Sequence, residues 1–385
     1  MKVVICGDSH IGAVYGLGGS NGSGGNTRID DYEKTLNYIA DYCIDNSVDV
    51  FIQTGDAFDK RNPTAEQMEI FNKVLKKLSF HNIFSAVIMG NHDYKKTGPK
   101  FTSSLTSLSA KELPNVRVVL EPEMITLTND KGILNLLLMP FRDRKLYGGK
   151  STKEDSSIYQ AEVTGLIDGV IDGPIVAIGH NFFYEGSYND YGGSEILAKV
   201  DTFSKCDMVA MGHYHNFKIL KKSNPIAIYT GSMERINFGD ADSKKVFLEF
   251  DTSEKKVKVL SAPIRELWDE SINLTTSTFE SVDDDIDKLL SEIDISGKIV
   301  RLKVILHEKL ASTLKRVKLE KKLYDSGAYY VSRVNFEQIY QRLVRDTSIL
   351  EEKDDFNIFK AFVEGQGFSS SMEKQILLEA KTIMD

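Results

Sequence analysis

Five short stretches of the 385-residue chain carry side chains that could hold cations together: Asp8-Ser9-His10, Gly55-Asp56, Gly90-Asn91-His92-Asp93, Gly179-His180 and Gly212-His213-Tyr214-His215. Pooled, Asp8, His10, Asp56, Asn91, His180, His213 and His215 offer carboxylate oxygens, an amide oxygen and imidazole nitrogens. That mixture suits manganese, zinc or iron rather than calcium, and the missing thiolates argue against a structural zinc site. A carboxylate shared by two ions holds them at the ~3.5–4 Å typical of hydrolytic pairs, and Asp56 reads as that bridge. Thr54-Gly55-Asp56 alone would pass for an ordinary turn. Recurrence decides otherwise: five of the seven histidines, counting His92, lie in these stretches.

Each stretch ends an apolar run of the buried parallel-strand kind: Val3 to Cys6, Val48 to Ile52, Ile83 to Met89, Ile175 to Ile178 and Met208 to Met211. Side chains just past such strands collect in the crevice at the carboxyl edge of an α/β sheet, and a glycine beside them permits close approach. Helical periodicity covers about 30–46, 64–78 and 156–167. Residues 116–140 read as strands about an Asn129-Asp130-Lys131-Gly132 turn, and 246–250 with 256–260 as a closing hairpin.

Beyond Pro263 the pattern becomes that of a small α+β module: strand 272–275, acidic helix 279–293, strand 299–306, basic helix 312–324, strand 329–334. From Phe336 a helical tail is expected, with one helix from Asp354 carrying Phe356, Phe359, Phe362 and Val363. A break at Gly365-Gln366-Gly367 and a last helix capped by Ser370 and Glu373 follow. The expected division is 1–262, 263–335 and 336–385.

With 41% hydrophobic and 27% charged residues and a mean hydropathy of -0.24, the chain reads as soluble, with no membrane span and no signal peptide before Asp8. A cytoplasmic location is expected, the host's cytoplasm for a phage-encoded chain. Cys6, Cys43 and Cys206 form no CxxC pair, so no disulfide framework is expected. A net charge of -8 excludes a protein that grips nucleic acid over its whole surface. Basic groups at Lys95-Lys96 with Lys100, at Arg142, Arg144 and Lys145, and at Lys315-Arg316-Lys318-Lys321-Lys322 read as solvated surface. The stretch from Gly16 to Asn26 reads as a flexible loop, and His81, His307 and Trp268 as structural residues.

The five motifs in this order resemble the calcineurin-like metallophosphoesterases over residues 1 to about 262. Gly231-Ser232 followed by Arg235, with the carboxy-terminal extension, is similar to the SbcD-type DNA repair nucleases and to the nuclease subunits of T-even-type phage recombination endonucleases. The resemblance implies a two-sheet core, with Asp8, His10, Asp56 and His215 around one divalent ion and Asp56, Asn91, His180 and His213 around the other. Mn2+ is expected in both places, with Mg2+ as the alternative. It further implies that His92 is the acid approaching the scissile phosphate, with the Asp59 carboxylate set against it. A homodimer, DNA as substrate, 3′ to 5′ exonuclease and single-strand endonuclease activity, and an SbcC-like coiled-coil ATPase partner complete that expectation. Tyr15, Tyr94, Phe182, Phe183, Tyr184, Tyr188, Tyr191 and Tyr214 flank the motifs and could stack on unpaired bases. The rivals are a small-molecule phosphodiesterase or phosphatase and a non-catalytic scaffold subunit.

Overall fold

The computed structural model describes residues 1–20, 26–97, 100–183, 196–311, 314–339, 355–364 and 370–384. Two six-stranded sheets lie face to face. In the first, Lys2–Cys6, Val50–Gln53, Phe84–Ile88 and Val116–Val119 run parallel, with Val246–Asp251 and Lys256–Ser261 added antiparallel beside Lys2–Cys6. In the second, Gly132–Met139, Ile175–Gly179, Met208–Met211 and Ile226–Tyr229 run parallel between the antiparallel edges Glu123–Asn129 and Lys218–Lys222.

Period-two side-chain alternation explains why the inner strands are apolar throughout. Val3 and Ile5 face the second sheet and pack with Leu134, Leu136, Val176 and Ala210. Val4 and Cys6 face outward, under the helices Ile29–Asp45 and Ala65–Phe80. Helix Thr152–Asp168 covers the far side of the second sheet with Tyr159, Val163 and Ile167. The start of helix Ala65–Phe80 is fixed by a capping box, in which Thr64 Oγ1 accepts from Gln67 N and Gln67 Oε1 from Thr64 N. Cys6, Cys43 and Cys206 are buried free thiols. No helix among the described residues is long and apolar enough to cross a membrane.

The α+β module is a parallel sheet of Leu267–Asn273, Ile299–His307 and Tyr330–Ile339, with helices Val282–Ser291 and Arg316–Asp325 on one face. Val300, Leu302, Val304 and Leu306 point into that face. The expectation of helix from Phe336 is corrected: Phe336 to Ile339 continue the strand, paired with Val304 to His307, because a long central strand offers a ladder that outweighs local propensity. The sheet therefore runs past the expected boundary at 335. Its first strand begins at Leu267 rather than Ile272, and the basic helix begins at Arg316. Helices Asp355–Glu364 and Ser370–Met384 pack against each other. The Gly365-Gln366-Gly367 break and Asp354 lie outside the described residues.

One expectation about the surface also changes. Leu17 is buried with Phe238 and Ile299, Thr27 N donates to Gly19 O at 3.0 Å, and Tyr329 Oη donates to Thr27 O at 2.7 Å. Both ends of the Gly16 to Asn26 stretch are therefore anchored, with residues 21–25 outside the described set. The basic helix is matched by the acidic one: Lys318 Nζ meets Asp283 Oδ2 at 2.6 Å and Lys322 Nζ meets Asp287 Oδ1 at 2.5 Å. Arg142 pairs with Glu121 at 3.2 Å and Glu162 at 3.1 Å.

Candidate metal centre

The loops after the parallel strands of both sheets meet at one edge, and their main chains are laced together before any side chain is considered. Ser9 N and His10 N donate to Asp56 O at 3.0 and 2.9 Å, Asp8 N donates to Gly231 O at 3.2 Å, and Gly212 N donates to Gly179 O at 2.9 Å. His10, Asp56 and His213 adopt left-handed backbone with φ of 45°, 47° and 77°. Such strain outside glycine concentrates at functional sites. Gly90 is required by packing, since a Cβ there would lie 2.1 Å from Asp56 Oδ1.

Side-chain distances sort the residues into two sets that meet at Asp56. Asp56 Oδ2 lies 3.6 Å from His10 Nε2 and 3.3 Å from His180 Nε2. On the first side, His10 Nε2 is 3.0 Å from His215 Nε2, which is 3.7 Å from Asp8 Oδ2. On the second, Asn91 Oδ1 is 3.0 Å from His180 Nε2 and 2.9 Å from His213 Nδ1. His180 Nδ1 donates to Thr54 O at 2.8 Å, which makes Nε2 the nitrogen turned to the cluster. Asp8 Oδ1 is buried without a hydrogen-bond partner among the described residues. An orphaned carboxylate oxygen beside converging ring nitrogens fits a cation and is costly without one. The donor set fits divalent metal ions.

Burial and charge pull these groups apart. Burial pushes the Asp8 carboxyl up to about 8 against the pull of His180. Burial disfavours the charged His180 ring, but Asp56 and Asp8 override it and raise His180 to about 10. Asp56 is buried too, yet His180 and His10 hold its carboxyl far below the ordinary range. Desolvation takes His10 well below the usual histidine value and His215 down to about 4. Asp93, a motif carboxylate to which the sequence assigns no role, accepts from Ala57 N and Phe58 N at 3.3 Å and from Gly90 N at 3.0 Å. It ties the Asp56 loop to the Asn91 loop.

His92 N donates to Asp56 Oδ1 at 2.7 Å, and its ring stands edge-on to His10 with centroids 4.7 Å apart. The Asp59 carboxylate lies, as expected, near His92: one of its oxygens and ring nitrogens of His10 and His92 all fall within 4.8 Å of one another. The hydrogen bond to the ring comes from the main chain, with His92 Nδ1 donating to the carbonyl oxygen of Asp59 at 2.6 Å, because a carbonyl can only accept. The Asp59 carboxylate turns to Tyr15 Oη at 2.9 Å and lies 3.8 Å from His10 Nδ1. The His92 tautomer is thus set by main chain, leaving Nε2 for a substrate. Sequence reasoning gave no role to Lys60, Arg61 and Asn62, which line a cavity of about 390 Å³ with Asp59, Asn91 and His92. Their adjacency to Asp59 was the available signal. Phe182 stands 4.4 Å from the His213 ring, Phe183 is core, and Tyr184, Tyr188 and Tyr191 lie outside the described residues.

The two-sheet α/β core carries at its strand ends a cluster that could hold metal ions, and the family it matches is one of phosphoester hydrolases that use them. The family described as Calcineurin-like phosphoesterase matches residues 1–217, and the chain belongs to it. Among curated proteins it is similar to the DNA double-strand break repair protein Mre11 of Methanosarcina mazei, 25% identical over 54% of this chain and 30% of that one. It is also similar to a component of the SbcCD nuclease of Bacillus subtilis, 24% identical over 64% of each. The chain therefore spans about a third of the first relative and less than two thirds of the second. Among solved structures, a dimetal phosphatase from Danio rerio aligns with a TM-score of 0.41 and 10% identity, covering 68% of this chain and 99% of that one.

Proposed function

We propose that the protein is a metal-dependent DNA nuclease acting in recombination and double-strand-break processing, with 3′ to 5′ exonuclease and single-strand endonuclease activity. The observation that carries the reading is the placing of His92 against Asp56 where the two ligand sets join. The names of the Mre11 and SbcCD relatives support the DNA substrate. Asp8, His10, Asp56 and His215 would hold one ion, and Asp56, Asn91, His180 and His213 the other, with Mn2+ the preferred metal. Bound there, two divalent ions stabilise charge on a phosphoryl group and bring a water toward a neutral-pH pKa. The Asp59 carbonyl fixes the proton of His92 on Nδ1, so His92 must take a second proton at Nε2 to donate one to the departing sugar oxygen. Lys60 and Arg61 beside His92 would meet the phosphate backbone, a local contact compatible with an acidic chain.

In this reading the module from 263 caps the DNA and the protein works in the cytoplasm as a homodimer. The paired helices Asp355–Glu364 and Ser370–Met384 dock an SbcC-like coiled-coil ATPase. Their exposed Phe362, Leu378 and Ile383 support that use. The test is incubation of the purified chain with labelled single- and double-stranded DNA and with an aryl phosphodiester, with and without Mn2+. Cleavage of the aryl ester with DNA left intact would transfer the assignment to a small-molecule phosphodiesterase.

A further inference from the structure

Lys245 lies wholly inside the protein, its side chain 0% exposed, and belongs to neither ligand set. Its ammonium donates to Ser232 Oγ at 2.7 Å and to the main-chain oxygen of His215 at 3.2 Å, with Asp240 Oδ2 3.5 Å away. Three acceptors answer the three N–H groups that a buried ammonium must satisfy. The loop on the far side of this contact also brackets Asp8: Ser232 N donates to His215 O at 3.0 Å, and Met233 N donates to Asp8 O at 2.9 Å. That loop is rigid in its own right. Ser232 Oγ donates to Glu234 O at 2.8 Å, and the Glu234 carboxylate is held by Thr35 Oγ1 at 2.6 Å and by the buried Arg28 Nη2 at 3.0 Å. One cation thus fastens the backbone under His215 to the backbone under Asp8. The side chains of the other set are held elsewhere, His180 by Thr54 O and His213 by Asn91 Oδ1.

We propose that Lys245 is a positioning residue of the metal centre, fixing the His215 backbone so that its imidazole meets His10 and Asp8, and that it governs the affinity of this ion without governing the other. The inference rests on the two-ion reading of the site and not on the identity of the substrate. Metal ligands depend on the groups that orient them, and losing such a group costs roughly 10–100-fold in affinity. A merely structural lysine would lower the melting temperature and leave the two affinities in their original ratio.

The test uses the full chain and Mn2+ alone, followed by calorimetry and by electron paramagnetic resonance, with the metal-free melting temperature as a measure of folding. The wild type is expected to take two ions and give an exchange-coupled signal. Lys245→Met is expected to keep one ion at wild-type affinity, bind the other at least about 10-fold more weakly, and lose the coupled signal at two equivalents. Lys245→Arg is expected to restore part of it. A folded Lys245→Met that binds both ions as the wild type does overturns the inference and leaves the two-ion reading standing. A wild type that binds no pair of ions overturns both. Should Lys245→Met not fold, Ser232→Ala removes one acceptor from the ammonium; it is expected to weaken one ion selectively, and equal affinities would refute the role.

Discussion

His10 Nε2 and His215 Nε2 face each other at 3.0 Å. Burial holds both rings neutral near pH 7, so at most one N–H lies between them, whereas a divalent ion would take both lone pairs. Mn2+ is therefore expected to raise the melting temperature, by about 2.7 kcal/mol of stability at a hundredfold excess over Kd. A chelator should reverse the gain and abolish phosphodiester hydrolysis. A melting curve indifferent to Mn2+ would contradict the centre.

Metal binding near pH 7 should release protons. Without metal, Asp8 is raised to about 8 and His180 to about 10, so the folded protein carries protons the unfolded chain gives up. The stabilising charge on His180 is complete below its unfolded value and fades as pH rises toward 10, while the cost of ionising Asp8 grows up to pH 8; both act in one direction. On these two groups metal-free protein should therefore lose stability from about pH 4 to 8 through Asp8, with His180 adding to the loss from about pH 6.5 to 10. Calorimetry of Mn2+ binding in two buffers of different ionisation enthalpy reads the released protons, and identical heats would refute this.

His92→Asn is expected to retain Mn2+ affinity and lose about 10²–10⁴-fold in turnover. The His92 ring gives no hydrogen bond to either set, since Asp56 Oδ1 is held by the His92 main-chain N–H, and it meets His10 only edge-on. Wild-type turnover in this variant would remove its role.

Asp59→Asn should behave differently. Because the main chain orients His92 and the carboxylate lies toward His10 and Tyr15, the variant is expected to raise the Mn2+ concentration for half-activation by up to about 10-fold. Turnover at saturating metal should stay near wild type. A fall in turnover with unchanged metal dependence would restore the carboxylate as a partner of His92.

Gly90→Ala would press a Cβ against Asp56 Oδ1 at 2.1 Å and Asp56 N at 2.2 Å. Overpacking of this kind costs about 1–3 kcal/mol, and relief would displace the bridge. Both the melting temperature and Mn2+ binding are expected to fall; a variant unchanged in both would show that the loop yields freely.

The clustering of the candidate ligand residues was legible because each stands just after an apolar strand, where sequence position and spatial edge coincide. The main-chain bond from His92 to Asp59 was invisible, because residue type does not say where a carbonyl oxygen points. Phe336 to Ile339 misled for a related reason. The partner that makes them strand, Val304 to His307, lies far upstream in the chain. Lys318 is surface as expected, but its pairing and that of Lys322 could not be read, because the partners Asp283 and Asp287 sit on another helix. Lys245 gave no signal at all, since a lysine in sequence carries no mark of burial.

The glycine-rich stretch is moored to the α+β module through Leu17 against Ile299 and through Thr27 under Tyr329. Its near end begins one residue after Tyr15, whose hydroxyl rests on Asp59. Displacing the module would therefore tug on a line tied to the rim of the candidate metal site, so that a pull applied to its sheet arrives as a displacement of Tyr15.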